Sequence, residues 1–345
     1  MLTKPKTLAG ANLSGIVLRA RSGFYTVQTD DGLVECRLRG ILKKERQGSD
    51  IAVIGDRVGL VRIDEASGVI ESIEQRRSRF SRKQPGPRGT WREDVLVANL
   101  DQALVVFACA DPMPHLRMLD RLLVVAEYND VEAVIVVNKL DLCGPGAAEA
   151  TFGGYRRIGY PVEYISARQG VGVEELRRRL EGRVSVVVGP SGVGKSTLLN
   201  AIQPGLRLDT GFVSDALHKG RHTTTTSELH PLEARGEASA VADGTRPGEA
   251  SGRDDDAGGS AGEGARQARG YIADTPGLRE LGLFRIPDSE LASCFREMRP
   301  YLGSCGFNDC AHLNEPRCAV RAAVAEGAVP AERFESYRRL RTGEA

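Results

Sequence analysis

Long apolar stretches are missing from this chain of 345 residues. No run of about 18 apolar residues occurs, which excludes a helix spanning a membrane. The opening MLTKPKTLAG lacks the apolar core of a secretory leader, so a soluble, cytoplasmic protein without a membrane partner is expected. One-sided charge is missing as well: 47 Lys and Arg stand against 46 Asp and Glu, a net of +1, so the chain as a whole has no pull toward nucleic acid or lipid. Seven cysteines are too few for the disulfide framework of a small secreted domain. Four of them, Cys36, Cys109, Cys143 and Cys294, are scattered and read as small buried hydrophobes in a reducing compartment. The other three, Cys305, Cys310 and Cys318, cluster with His312. A hydrophobic content of 41% is ample for real cores, and the length suits two or three domains.

Residues 13 to about 74 read as short strands punctuated by turns. The segments at 15–18, 24–27, 33–36 and 58–61 carry β-branched or aromatic residues, with Asp30-Asp31-Gly32 and Ser67-Gly68 between strands. About five such strands without a helix predict a small barrel, OB-type before SH3-like. Charge is lopsided here, with 18 Lys and Arg against 10 Asp and Glu over residues 1–92. Arg76, Arg77, Arg79, Arg82, Lys83, Arg88 and Arg92, interleaved with Phe80 and Trp91, suggest a surface that tracks RNA phosphates rather than a plain basic linker.

Beyond Leu100 the pattern changes. Short apolar runs at 104–109, 133–137, 162–165, 184–188 and 271–273 alternate with helical stretches at 116–128, 173–180 and 197–202. Further helices are predicted at 289–298 and 331–340. Buried strands alternating with helices predict a doubly wound, mainly parallel α/β sheet, which binds ligands at its strand C-terminal ends. Residues 234–269 are nearly all Gly, Ala, Ser and charge, and read as a disordered insertion.

The motif Gly189-Pro190-Ser191-Gly192-Val193-Gly194-Lys195-Ser196 fits G-x-x-x-x-G-K-[ST], placed between a strand and the helix that begins near Thr197. Its glycines allow backbone N–H groups to face phosphate oxygens at a helix N-terminus. Lys195 reaches the β- and γ-phosphates, and the Ser196 hydroxyl can ligate Mg²⁺. Asn138-Lys139-Leu140-Asp141, after a strand, fits NKxD, whose carboxylate accepts from the two guanine N–H groups; this selects GTP and GDP over adenine nucleotides. Ser166-Ala167 ends the next strand and matches the companion segment that offers a backbone N–H to guanine O6. Asp274-Thr-Pro-Gly277 fits DxxG, with Asp274 on Mg²⁺ through water and the Gly277 N–H toward the γ-phosphate. His222 precedes the run Thr223, Thr224, Thr225 and Thr226, where a switch threonine is required.

The order of these motifs is rotated: NKxD and Ser-Ala come before the phosphate loop, the threonines and DxxG. Strands pair by position in space, so the same sheet can form. Downstream, Cys305-x₄-Cys310-x-His312-x₅-Cys318 supplies three thiolates and an imidazole, a set suited to one closed, structural tetrahedral Zn²⁺.

Taken together, the basic barrel, the rotated motif order and the Cys-x₄-Cys-x-His-x₅-Cys knuckle resemble the RsgA (YjeQ) family of circularly permuted GTPases. The resemblance covers nearly the whole chain. It implies a multidomain protein with an OB-type barrel over 1–92, a circularly permuted P-loop GTPase domain over 93–285 and a helical zinc-binding domain over 286–345. It further implies a monomeric GTP hydrolase that binds the small ribosomal subunit and its rRNA and assists late maturation, with stimulation by that particle. His222 corresponds to the family's histidine before the switch threonines. Leu278 follows DxxG where a water-orienting glutamine stands in other GTPases, so slow intrinsic hydrolysis is expected. Two alternatives stay open: an RNA-binding assembly protein using GTP as a structural ligand, and a permuted GTPase acting on the large subunit. Family members have a short turn where this chain carries 234–269.

Overall fold

The computed structural model describes residues 12–40, 42, 52–85, 91–204, 228–232, 270–274 and 286–344. Its first five strands are β1 (Asn12–Arg21), β2 (Phe24–Thr29), β3 (Gly32–Leu38), β4 (Arg57–Arg62) and β5 (Ser67–Ile73). In β3 the apolar positions alternate: Val34, Cys36 and Leu38 are buried while Leu33, Glu35 and Arg37 face outward, as the two-residue period of a pleated strand requires. The strands pair in the order β1-β2-β3-β5-β4, and a β1–β4 pairing closes the ring. Within the ring β3 and β5 run parallel and the other pairs antiparallel, the topology of an OB barrel and not of an SH3-like one.

The basic run lies largely on a hairpin, β6 (Arg79–Pro85) and β7 (Trp91–Ala98), paired as a separate two-stranded sheet. The expected division between residues 92 and 93 falls inside β7. Two members of the run are structural. Arg76 forks onto the fully buried Asp56, with Nε to Oδ1 at 2.7 Å and Nη2 to Oδ2 at 2.8 Å. Phe80 is 2% exposed and packs with Val97 and Leu100, so it offers no face to a base. The side chains of Arg82, Lys83, Arg88, Trp91 and Arg92 lie outside the described residues.

The next elements are β8 (Gln102–Ala108), α1 (Leu116–Tyr128), β9 (Glu132–Asn138), α2 (Leu140–Ile158), β10 (Val162–Tyr164), α3 (Val173–Leu180), β11 (Val184–Val188), α4 (Lys195–Ile202), β12 (Glu228–Pro231) and β13 (Tyr271–Asp274). They form a sheet in the order β10-β9-β8-β11-β13-β12, parallel up to β13, with β12 antiparallel. Every residue of β8 is buried, because helices cover both faces. Val105 and Phe107 point toward Leu119, Leu123 and Phe152 of α1 and α2; Leu104 and Val106 point toward Leu176, Leu180, Leu198 and Ile202 of α3 and α4. This is the doubly wound layer arrangement expected from the sequence. One bridge between Arg19 and Glu228 continues the sheet from β12 into the barrel. The barrel is fixed further by Asn99, whose Nδ2 donates to the Gly55 carbonyl at 2.9 Å and whose Oδ1 accepts from the Arg77 N–H at 2.9 Å.

The C-terminal part comprises α5 (Asp288–Leu291), two 3₁₀ turns at Ala292–Cys294 and Arg296–Tyr301, α6 (Ala319–Ala325) and α7 (Ala331–Thr342). The single helix expected at 289–298 is broken: Phe295 takes extended angles of φ −104° and ψ 104° and sinks completely into the core against Tyr337. A buried polar cluster docks this part onto the α/β layers. Asp120 of α1 accepts from Arg333 Nη1 at 2.6 Å, from Tyr155 Oη at 2.7 Å and from Ser336 Oγ, while Arg333 Nε bonds Glu297 at 2.6 Å. Arg333 and Asp120 are each about 3% exposed, so each charge depends on the other.

One expectation about the cysteines is corrected. Cys109 and Cys143 form a disulfide, while Cys36 and Cys294 are free and buried as expected. The partners approach because β8 and β9 are adjacent parallel strands, and each cysteine lies just beyond the C-terminal end of one of them. The segment 234–269 lies outside the described residues, and among the described residues no helix is long and apolar enough to cross a membrane.

Candidate functional site

The NKxD, Ser-Ala and phosphate-loop segments leave the C-terminal ends of β9, β10 and β11, so the parallel sheet gathers them along one edge. The phosphate loop depends on glycine in specific places. Gly189 has φ +144°, and a Cβ there would collide with the Val106 carbonyl. Gly194, at φ +89°, is the N-cap of α4 and faces Asn138 so closely that a side chain would strike its amide. Lys195 Nζ donates to the carbonyls of Gly189 and Pro190, at 2.8 and 2.6 Å, which folds its ammonium over the loop at the start of α4.

Asn138 is the joint of the site. It is 2% exposed; its Nδ2 donates to the Val193 carbonyl at 2.9 Å, and its Oδ1 accepts from the Ala167 N–H at 3.0 Å. One side chain thus ties the phosphate loop to the Ser-Ala segment. Of the Ser166-Ala167 segment, expected to offer a backbone N–H to guanine O6, the Ala167 N–H is engaged here by Asn138. Ser166 Oγ donates to Asp141 Oδ1 at 2.5 Å, and this hydrogen bond holds the Asp141 carboxyl below its ordinary pKa. The carboxylate is therefore charged, as an acceptor for two N–H groups must be. Lys139 occupies the left-handed region at φ 62°, and its ammonium donates to the Asp111 carbonyl.

Asp274 closes β13, whose Ala273 is in register with Val186 of β11, so its backbone lies next to the root of the phosphate loop. The Asp274 side chain, Gly277, Leu278, His222 and Thr223–Thr226 lie outside the described residues. Ser191 and Thr197 are exposed, while Ser196 is half-buried on the first turn of α4.

The second cluster brings Cys305, Cys310, His312 and Cys318 together, with their ligand atoms all within 4.8 Å of one another. His312 Nδ1 lies 3.5 Å from Cys305 Sγ and 3.4 Å from Cys318 Sγ, and the two sulfurs are 3.9 Å apart. A tetrahedral Zn²⁺ with Zn–S near 2.3 Å and Zn–N near 2.0 Å places sulfurs about 3.8 Å apart and sulfur from nitrogen about 3.5 Å. The donor set fits that ion. Burial lowers the His312 pKa and favours the neutral imidazole that a metal takes.

Three contributors escape the motif patterns. Glu315 accepts from the N–H groups of Ala311, Leu313 and Asn314 at 2.8 to 3.0 Å and so shapes the knuckle loop. Tyr337 anchors the same loop through its hydroxyl to the Ala311 carbonyl at 2.7 Å. Asp111 offers Lys139 a backbone carbonyl, for which no side-chain type gives a signal.

The chain is similar to known proteins over nearly its whole length. The RsgA GTPase family profile matches residues 73–248, and the RsgA N-terminal domain profile matches residues 14–70. A "Small ribosomal subunit biogenesis GTPase RsgA" from Gemmatimonas aurantiaca is 44% identical over 331 residues, covering 95% of this chain and 96% of that protein. The protein of the same name from Moorella thermoacetica is 39% identical, over 94% and 95% of the two chains. Among solved structures, YjeQ from Thermotoga maritima superposes with a TM-score of 0.71 at 30% identity, covering 96% of this chain and 98% of its own.

Proposed function

The chain belongs to the RsgA family and is a GTP hydrolase, and from that premise we propose that it binds the small ribosomal subunit and its rRNA and uses GTP turnover to assist that subunit's late maturation. In this reading Asn138 and Asp141 select guanine, and Lys195 together with the backbone N–H groups of residues 189–197 holds the phosphates. Ser196 and Asp274 would hold Mg²⁺, which supplies neutralisation of charge on the β- and γ-phosphate oxygens. Gly277 contacts the γ-phosphate, one of Thr223–Thr226 closes over it, and His222 helps to orient the attacking water. Cys305, Cys310, His312 and Cys318 would hold Zn²⁺ in a structural role, since four protein ligands leave no open position.

The observation that carries the reading is the pair of hydrogen bonds from Asn138. They join the base-reading segment, the phosphate loop and the Ser-Ala segment into one site despite the rotated order of the motifs. Membership of a family whose relatives are named for the small subunit supports the partner assignment. Leu278 favours one competing reading, an assembly factor that keeps GTP as a structural ligand, because an apolar side chain cannot orient water. GTP turnover measured alone, with small subunits and with large subunits separates these readings. Stimulation specific to small subunits supports the proposal. Binding without turnover under every condition supports the structural-ligand reading, and stimulation by large subunits alone supports the other.

A further inference from the structure

The disulfide between Cys109 and Cys143 has no place in the chemistry of GTP hydrolysis, yet it lies at the turn that reads guanine. Cys143 stands two residues after Asp141, and Cys109 is bound by its N–H to the carbonyl of Asn138 at 2.9 Å. The turn carrying Lys139 and Asp141 is poorly supported by its own helix. Gly144 departs from helical geometry at φ 75° and ψ 162°, Pro145 follows it, and the body of α2 resumes only beyond that break. The first turn, Leu140–Cys143, is therefore uncoupled from the rest of α2, and Leu142 at its tip is 51% exposed. Besides the Leu140 N–H bond to the Ile165 carbonyl at 3.0 Å and the Leu142 N–H bond to the Lys139 carbonyl at 2.9 Å, the turn is held by the Ser166 bond to Asp141, the Lys139 bond to Asp111, and the disulfide immediately before the break.

We propose that Cys109 and Cys143 are a reversible redox site: their oxidation locks the guanine-reading turn and slows nucleotide release, and their reduction loosens it. The inference rests on the nucleotide site proposed above. Disulfides in reducing compartments are characteristically transient and redox-sensing, which suits a bond on a functional turn rather than one that staples a domain. The oxidant is a low-molecular-weight disulfide. Cys143, the more exposed partner, attacks one of its sulfurs as thiolate and expels one thiol, leaving a mixed disulfide. Cys109 then attacks the Cys143 sulfur and expels the second thiol. The protein gives up two electrons and two protons, and the small disulfide takes them up as two thiols.

The test uses the full-length, zinc-loaded protein equilibrated with oxidised or with reduced glutathione. Peptide mapping reports the Cys109–Cys143 bond, and metal content is followed in parallel to show that the Cys305 cluster stays intact. Release of a fluorescent GDP is then timed in both states. The oxidised protein is expected to release GDP more slowly by on the order of fivefold, the scale of fixing about one residue's backbone. Cys143→Ser and, independently, Cys109→Ala are expected to release GDP at the reduced rate in both buffers. The proposal is overturned by equal release rates once the bond is mapped, by absence of the bond in the oxidised protein, or by a redox effect that survives in both variants. Failure to bind GDP in either state would instead remove the nucleotide-site reading on which the proposal depends.

Discussion

Asn138 donates to the backbone carbonyl of Val193, a residue 55 positions later in the chain and inside the phosphate loop. The order of these two segments is the reverse of that in an unpermuted GTPase, yet the parallel pairings of β9 with β8 and β8 with β11 restore their proximity. Removal of this amide leaves the buried Val193 carbonyl and the Ala167 N–H without partners. Asn138→Ala is expected to weaken GDP binding by about 10- to 100-fold, the cost of one to two lost buried hydrogen bonds. ATP binding, measured in parallel by calorimetry, should stay weak throughout. Unchanged GDP affinity would show that Asn138 does not organise the site.

Asp141 tests base identity. Asp141→Asn places an amide donor where guanine presents N–H groups, so guanine nucleotides should bind poorly and xanthine nucleotides, with their 2-oxo group, should bind better. Competition between GDP and XDP reads this directly. Retained guanine preference would remove Asp141 from the site.

The same carboxylate gives a pH expectation. The Ser166 hydrogen bond lowers its pKa in the folded protein. A lowered carboxylate contributes its charged form above the ordinary value of about 3.9 and loses it only as pH falls through the still lower folded value. GDP affinity should therefore change little between pH 8 and pH 5. Ser166→Ala should move the onset of acid-induced loss to higher pH. An onset unchanged by Ser166→Ala would contradict this account of the shift.

Arg333 and Asp120, 213 residues apart in sequence, make the most buried ion pair described between the GTPase layers and the C-terminal helices. Arg333→Met leaves Asp120 and Glu297 without their cation, and a broken buried pair costs about 3 to 5 kcal/mol. Denaturant unfolding should register that loss, while Arg338→Met, on the solvent-facing side of the same helix, should change stability far less. Equal effects of the two would show that the buried cluster does not fasten the interface.

Much of this was legible in the chain because its signals are local. The strands of the α/β sheet are short apolar runs, and α1 and α3 occupy the spans their periodicity predicts, 116–128 and 173–180. The phosphate loop and NKxD are contiguous motifs, and the metal cluster spans only 14 positions, so their assembly needs little long-range information. What stayed hidden depends on distant partners. Arg76 reads as a phosphate contact until Asp56, 20 residues earlier, is seen buried beneath it. Cys109 and Cys143 read as separate hydrophobes because only the adjacency of β8 and β9 unites them. Helix α2 was masked by Gly144-Pro145-Gly146, which breaks its first turn without preventing the rest from forming.

The central claim, turnover coupled to the small subunit, is tested most directly by the rate of GTP hydrolysis by the full-length protein at saturating GTP, with and without purified small subunits. Lys195→Ala serves as the control that impairs phosphate binding under both conditions. Slow basal turnover and a large rise with small subunits are expected, with His222→Ala losing most of the rise while still binding GTP. A rate indifferent to small subunits, or raised equally by large ones, would contradict the account.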